Sequence, residues 1–294
     1  MLTQFFGNYL LEKNIITSDQ LLQALDRKHN TSQSLDALAL SSGYMSKDEI
    51  EDVHNMQCVR DDEFVRLALH MGYLTISQAS ELEEAQHFGY LLLGRAVIEL
   101  GFCTQEEMSK IIADYEFDYQ LSFSNCLNFD SEKIQEMIKH YYQFPDSDDF
   151  NPIEEYSTLL IRNLIRFVGD DFRLSGRLTK LPALPNMKEV IQKVSGVLPG
   201  STAIVGYKDF LELFANRYAC ESLGNEDEYV YAALQDFLNL HNGLYSVNLS
   251  TNHDVEIALE PTEVQPANID NMSYQYILPV EFTFGTIYFC FSLD

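Results

Sequence analysis

The sequence predicts an α+β protein in two parts: an all-α N-terminal domain of four helical hairpins and an α+β C-terminal domain with helices on one antiparallel sheet. Three observations support this. The 294 residues exceed what one core usually needs. A 29-residue repeat fills the first third. Helical and strand-like stretches then alternate. The predicted boundaries are 1–118 for the repeats, 119–151 for a helix-containing linker, and 152–294 for the α+β domain.

The repeat appears as four ungapped units of the same type. An apolar position that begins each first helix recurs as Phe6, Leu35, Phe64 and Leu93. The position that ends this helix is Asn14, Gly43, Gly72 and Gly101, residue types that tolerate the left-handed backbone at a helix C-terminus. A capping box then opens a second helix in every unit. Its residue pairs are Thr17/Gln20, Ser46/Glu49, Thr75/Gln78 and Thr104/Glu107.

These units resemble the N-terminal repeats of type II secretion and pilus ATPases, called MshEN domains when they bind cyclic di-GMP. The apolar frame is clearest in "FFGNYLLEKNIITSDQLLQALDRK" and "LLGRAVIELGFCTQEEMSKIIADY". The leading arginine of the family pattern is absent from all four units, and a guanidinium is suited to pairing with phosphate. We therefore expect a scaffold or docking module and weak or no cyclic di-GMP binding. The replacing residues are Phe5, Ser34, Glu63 and Leu92.

After the repeats, the sequence predicts a helix over 131–142 and a charged spacer, "PDSDDFNP". The C-terminal domain begins with a predicted helix, "IEEYSTLLIRNLIRFVG". Two strands follow, "KEVIQKVSGVL" and "STAIVGY", then two helices, "KDFLELFANRYAC" and "DEYVYAALQDFLNLHNG". Four strands are predicted after these helices. They are "LYSVNLS", "DVEIALEP", "YQYILPVEF" and "GTIYFCFSL".

The charge of the chain restricts its partners. There are 45 acidic and 19 basic residues, a net charge of −26, and the excess is spread along the chain. Nucleic acids and anionic lipids are bound chiefly through Lys and Arg, so we expect neither as a partner. No apolar run reaches membrane-spanning length, and the five cysteines lack paired spacing. These features predict a reduced, cytoplasmic protein without membrane insertion, and no histidine has a metal-ligand spacing.

The candidate site lies in "QDFLNLHNG", residues 235–243. Asp236 and Asn239 are one helical turn apart, on a face predicted to point away from the core. The same face is predicted to carry Gln235 and Asn242 as partner-binding residues beside Gly243. An amide there can hold a water, and a carboxylate can meet a cation on a partner.

This arrangement resembles the CheX/CheC/FliY family, which removes phosphate from the response regulator CheY. The family has a helix with ExxN followed four residues later by Gly, matched here by Asp236, Asn239 and Gly243; "GVLPGSTAIVGY" and the closing strands also follow its layout. The resemblance implies that Asn239 orients the attacking water and that Asp236 pairs with a regulator lysine. It implies no cofactor of this chain, since Mg²⁺ belongs to the regulator, and it allows a homodimer through this domain.

Alternatives remain open at the sequence level. Asp236 stands where the family has Glu, which favours an adaptor that binds a response regulator without hydrolysis. Cyclic di-GMP-responsive regulation is a third reading, disfavoured by the missing arginines. A weaker second candidate site is Glu212 with Asn216, but this pair has a spacing of four residues and fits a decayed or merely structural copy.

Overall fold

The computed structural model describes residues 2–30, 34–86, 89–119, 135, 138, 139, 141–144, 151–182, 186–224, 227–267 and 274–293. The chain divides into two compact units, Leu2–Asp130 and Ser131–Asp294, with Met1 grouped with the second. The described residues contain eleven helices and seven strands. The predicted α+β class is confirmed.

The N-terminal unit contains the predicted series of short helices. They are α1 Leu2–Glu12, α2 Ser18–His29, α3 Leu35–Ser41, α4 Lys47–Gln57, α5 Phe64–His70, α6 Ile76–Gln86, α7 Gly89–Glu99 and α8 Gln105–Asp118. The second residue after α1, α3, α5 and α7 has a left-handed backbone, as predicted, with φ of 55° at Asn14, 69° at Gly43, 77° at Gly72 and 74° at Gly101. This conformation turns the chain directly into the next helix.

The four predicted N-caps are confirmed. Thr17, Ser46 and Thr104 each form both hydrogen bonds of a capping box. At Thr75 the hydroxyl accepts from the Gln78 N–H at 3.3 Å, and the Thr75 N–H donates to Gln78 Oε1 at 2.9 Å. Every second helix therefore begins with first-turn amides that already have acceptors.

The repeats pack in a nested order. Repeats one and four share one hydrophobic core, which includes Phe6, Leu21, Leu93 and Tyr115. Repeats two and three share another. The inner pair is reciprocal: the Tyr44 hydroxyl donates to Glu81, and the Tyr73 hydroxyl donates to Asp52 at 2.8 Å. Both tyrosines occupy one repeat position and both acids another, so repeats two and three are related by an approximate two-fold axis.

From residue 151 onward, the described residues of the C-terminal unit form three helices and a seven-stranded antiparallel sheet. The helices are α9 Pro152–Phe167, α10 Lys208–Tyr218 and α11 Asp227–His253. The strands are β1 Phe172–Leu174, β2 Met187–Gly196, β3 Gly200–Tyr207, β4 Ile257–Leu259, β5 Glu263–Pro266, β6 Tyr276–Phe282 and β7 Gly285–Leu293. Their order is β1-β6-β7-β3-β2-β4, with β5 also paired to β2.

Alternation along the strands separates the two faces of this sheet. On the helix-covered face, Phe291 packs on Tyr156 of α9 and Phe289 packs on Phe237 of α11. On the other face, Ala203, Val205 and Cys290 belong to a separate apolar cluster covered by loop residues. The central strands β3, β6 and β7 are therefore buried on both sides.

One strand prediction for this unit was wrong, and another was confirmed only in part. "LYSVNLS" is not a strand, because α11 runs 27 residues without a break and includes Gly243. Leu244, Tyr245 and Leu249 are buried along this extension, and their packing keeps it helical. "DVEIALEP" contributes only the three residues of β4. Strands β1 and β5 were not predicted.

Much of the predicted linker lies outside the described residues, including most of the helix at 131–142 and the spacer 145–150. Residues 138, 139 and 141–144 are described, and they pack within the C-terminal unit. Ile138, Tyr142 and Phe144 are buried. The Tyr141 hydroxyl donates to the Leu174 carbonyl at 2.7 Å, and Phe144 packs edge-on against Tyr276.

Candidate functional site

Helix α11 carries the predicted pair Asp236 and Asn239, and both side chains are exposed. Val230, Leu234 and Phe237 are buried and fix which side of the helix faces the core. Three residues along a helix advance it by about 4.5 Å, so the carboxylate and the amide lie one turn apart. The pair is in the middle of the helix and not at its end.

Asp236 is held by α10. The Tyr218 hydroxyl donates to Asp236 Oδ2 at 2.7 Å. The Tyr218 ring packs edge-on against Phe237, with centroids 5.4 Å apart. The ring is thereby fixed on the core, and its hydroxyl restricts the directions that the carboxylate can take. Among the described residues, Asp236 Oδ1 accepts no hydrogen bond.

The side chain of Asn239 is held by a residue of strand β2. Gln192 of β2 is 2% exposed, and its Nε2 donates to Asn239 Oδ1 at 2.7 Å. The same nitrogen donates to the Glu260 carbonyl at 2.8 Å. The amide of Asn239 is therefore anchored by its carbonyl, while its nitrogen faces away from the Gln192 contact.

Asn242 was predicted to be a partner-binding residue on the exposed face, and this is wrong. It is 1% exposed. Its Nδ2 donates to Gln192 Oε1 and to Thr202 Oγ1, each at 2.7 Å, and its Oδ1 accepts from the Tyr156 hydroxyl at 3.1 Å. Asn242 is three residues after Asn239 but turns inward, because these partners on α9, β2 and β3 satisfy its amide within the core.

Gln235 and Gly243 occupy the edges of the candidate site. Gln235 is half-buried, and its Nε2 donates to the Thr262 carbonyl at 3.1 Å. Gly243 is helical and half-buried, and a Cβ added there would meet nothing within 4 Å. Neither a turn nor a close contact therefore requires glycine at this position.

The second candidate, Glu212 with Asn216, lies on α10. Asn216 Oδ1 accepts from the Leu223 N–H at 2.9 Å. The backbone carbonyl of Asn216 accepts from the Glu221 N–H at 3.2 Å. Asn216 thus shapes the loop after α10, which supports the structural reading. Glu212 is half-buried on the same helix.

The sequence prediction missed Gln192 and Tyr218, the two residues that hold the pair. The sequence did contain an indication of Gln192. It is a polar residue at a core-facing position of a strand, between the buried Val190 and Val194. A polar residue at a core-facing strand position requires a hydrogen-bonding partner. Tyr218 had no comparable signal, since a tyrosine near a helix end has no distinctive pattern.

The described residues show no cluster of metal ligands and no membrane-spanning helix. Within these residues, no group of three or more His, Cys, Asp or Glu side chains is placed to hold a metal ion. None of the helices in this part of the chain combines the length and hydrophobicity needed to cross a bilayer.

Comparison with known proteins shows similarity over the C-terminal half. No family model and no curated protein matches the chain. A solved CheX–CheY–BeF3–Mg²⁺ complex from Borrelia burgdorferi is similar at 17% identity and a TM-score of 0.43, over 49% of this chain and 98% of that chain. A chemotaxis protein CheX from Desulfovibrio desulfuricans gives 13% and 0.41, over 49% and 100%. A CheC-like superfamily protein from Shewanella gives 19% and 0.40, over 49% and 99%.

Proposed function

We propose that the C-terminal unit binds a CheY-type response regulator and hydrolyses its aspartyl phosphate. One observation carries the proposal: a carboxylate and an amide lie one turn apart on an exposed helix face, and each accepts a hydrogen bond from the same unit, Asp236 from Tyr218 and Asn239 from the buried Gln192. Such anchoring is needed to place a water against a partner's phosphate, because small misplacements are costly in rate. The sequence resemblance to the CheX/CheC/FliY family gives the same pair this role.

The proposed reaction needs positioning more than covalent chemistry by this chain. Asn239 orients a water whose oxygen attacks the phosphorus. The bond between phosphorus and the aspartyl oxygen breaks, the regulator regains its carboxylate, and phosphate leaves with the two protons of the water. Asp236 pairs with a lysine of the regulator and so presents Asn239 to the phosphate. The Mg²⁺ that neutralises the phosphoryl oxygens is carried by the regulator.

Phosphate release from a phosphorylated receiver tests this function. The probe is a purified CheY-type receiver treated with phosphoramidate, with and without the full chain. We expect Asn239→Ala to abolish most of the accelerated release. Asp236→Ala should mainly raise the receiver concentration needed for half-maximal rate, because an ion pair across an interface positions the partner. Asp236→Glu should keep or raise the rate.

The matched control is Asn252→Ala. Asn252 is an exposed amide on the same helix, about 20 Å further along. Its removal should leave the rate and the half-saturating concentration unchanged. If Asn239→Ala releases phosphate as fast as Asn252→Ala does, the catalytic role of Asn239 is wrong.

A non-hydrolysing adaptor is the second candidate, favoured by the side chain of Asp236, which is one methylene shorter than the Glu of the CheX/CheC/FliY pattern. The Tyr218 hydroxyl also binds this carboxylate, which restricts its reach toward a partner. An adaptor would bind a beryllofluoride-treated receiver, and Asp236→Ala would weaken that binding. The receiver's phosphate lifetime would stay unchanged when the chain is added.

For the N-terminal unit, we propose a docking or regulatory module that does not depend on cyclic di-GMP. The helical caps and turns support the repeat architecture, and its resemblance to MshEN domains remains a prediction. A cytoplasmic location and a homodimer through the C-terminal unit also remain proposals. Sedimentation of the full chain at micromolar concentration distinguishes a monomer from a dimer.

A further inference from the structure

A continuous line of hydrogen bonds connects the buried core of the C-terminal unit to Asn239. The Tyr156 hydroxyl donates to Asn242 Oδ1 at 3.1 Å, and Asn242 Nδ2 donates to Gln192 Oε1 at 2.7 Å. Gln192 Nε2 then donates to Asn239 Oδ1 at 2.7 Å. The first three of these residues are buried, and Asn239 is exposed.

The bonds of Gln192 allow one orientation of its amide. Its oxygen faces the amide nitrogen of Asn242, while its nitrogen faces two oxygens, Asn239 Oδ1 and the Glu260 carbonyl. A flipped Gln192 would place nitrogen against nitrogen on one side and oxygen against two oxygens on the other. An amide has two donors and one acceptor oxygen, so this flip would lose all three bonds.

We infer that Gln192 is a positioning residue for the proposed hydrolysis, an inference that rests on the proposed function. It holds Asn239 with the carbonyl toward the sheet and the NH2 group toward the partner. The outward NH2 can donate to the attacking water or to a phosphoryl oxygen, and the second lone pair of Oδ1 can accept from the water. Gln192 itself is buried and touches no substrate.

Without this anchor, Asn239 would behave like other exposed asparagines. Its χ1 has three staggered wells and its χ2 is broad, so the reactive orientation would be one of several. Displacement of a reacting group by about 1 Å can cost on the order of 100-fold in rate. Loss of the Gln192 donor should therefore lower kcat by about 10-fold to 100-fold and leave the half-saturating receiver concentration unchanged, since Asp236 is untouched.

The mutational test uses Gln192→Met, which keeps the length of the side chain and removes its polar atoms. The control is Asn163→Leu, which removes another buried amide of this unit that is bonded to His241. We expect kcat to fall in Gln192→Met and to stay unchanged in Asn163→Leu. In the Asn239→Ala background, Gln192→Met should have no further effect on kcat. An equal fall in both backgrounds would show that Gln192 does not act through Asn239.

A second measurement needs neither a core variant nor catalytic activity. In the full chain labelled with ¹⁵N-asparagine, the side-chain NH2 signal of Asn239 is assigned by its loss in Asn239→Ala. We expect Asn239 to be as rigid as the buried Asn242 and more rigid than the exposed Asn252. Mobility equal to that of Asn252 would overturn the inference. If the parent releases no phosphate, the proposed hydrolysis fails, while this signal still decides whether Asn239 is held.

Discussion

Replacement of Asn242 by alanine should destabilise the C-terminal unit strongly. Asn242 is buried and joins α11 to three other elements through Tyr156, Gln192 and Thr202. The substitution removes three hydrogen bonds from the core. Because the partners stay in place, it also leaves polar atoms of the core without the group that satisfied them.

The size of the effect follows from these contacts. Each lost bond is worth about 0.5–1.5 kcal/mol net. The side-chain oxygen of Gln192 is left without the donor that satisfied it. An orphaned buried acceptor costs about 1–3 kcal/mol. The higher helix propensity of alanine offsets about 0.6 kcal/mol of this loss. Taken at their mid-values, these terms give an expected net loss of about 4 kcal/mol in the free energy of unfolding.

The measurement must report on this unit alone, because unfolding of a two-unit chain need not be two-state. Hydrogen exchange followed by mass spectrometry meets this need, with peptides from β3 for the C-terminal unit and from α4 as an internal reference. Asn252→Ala is the control, since it makes the same change at an exposed position of the same helix and should stay within about 0.5 kcal/mol of the parent. If the β3 amides of Asn242→Ala are as well protected from hydrogen exchange as those of the control, the buried network contributes no stability and the prediction is wrong.

Three further predictions concern the N-terminal unit. Thr75→Ala removes the acceptor of the Gln78 N–H and should cost about 1 kcal/mol of stability, measured by urea titration with α6 peptides as the probe. A hydrogen bond from the His54 Nε2–H to Asp36 Oδ2 raises the pKa of His54 above 6.5, and the same bond lowers the pKa of Asp36 to about 2. The contribution of protonated His54 to the free energy of unfolding is therefore full below pH 6.5 and is lost as the pH rises through the raised pKa. Because the His54–Asp36 pair is half-exposed, this contribution should be about 0.2–1 kcal/mol. His54→Asn should remove this pH dependence of stability. Cyclic di-GMP should show weak or no binding by calorimetry, and a low-micromolar dissociation constant would contradict the missing-arginine argument.

The features that the sequence predicted well depend on residues close together in the chain. Each capping box is complete within four residues, and each left-handed turn depends on one Asn or Gly. The exposed pair Asp236 and Asn239 also follows from local spacing on a helix. Such features are specified before any tertiary contact forms, so a single sequence suffices to find them.

The errors arose where distant contacts override a local preference. An Asn-Gly step usually ends a helix, yet α11 continues through Asn242 and Gly243. The partners that bury Asn242 are 40, 50 and 86 residues away in sequence. No local pattern shows that these groups will meet, and the same is true of the support that Gln192 gives to Asn239.

The nested packing of the repeats has a consequence for the order in which the N-terminal unit folds. Tyr44 and Glu81 of the inner pair are 37 residues apart, whereas Tyr9 and Asp118 of the outer pair are 109 apart. Closing a longer loop costs more conformational entropy, about 0.6 kcal/mol for each doubling of length. Once repeats two and three have folded, they shorten the flexible chain between repeats one and four. The inner pair is therefore positioned to nucleate the unit, and the outer core closes over a loop that is already structured.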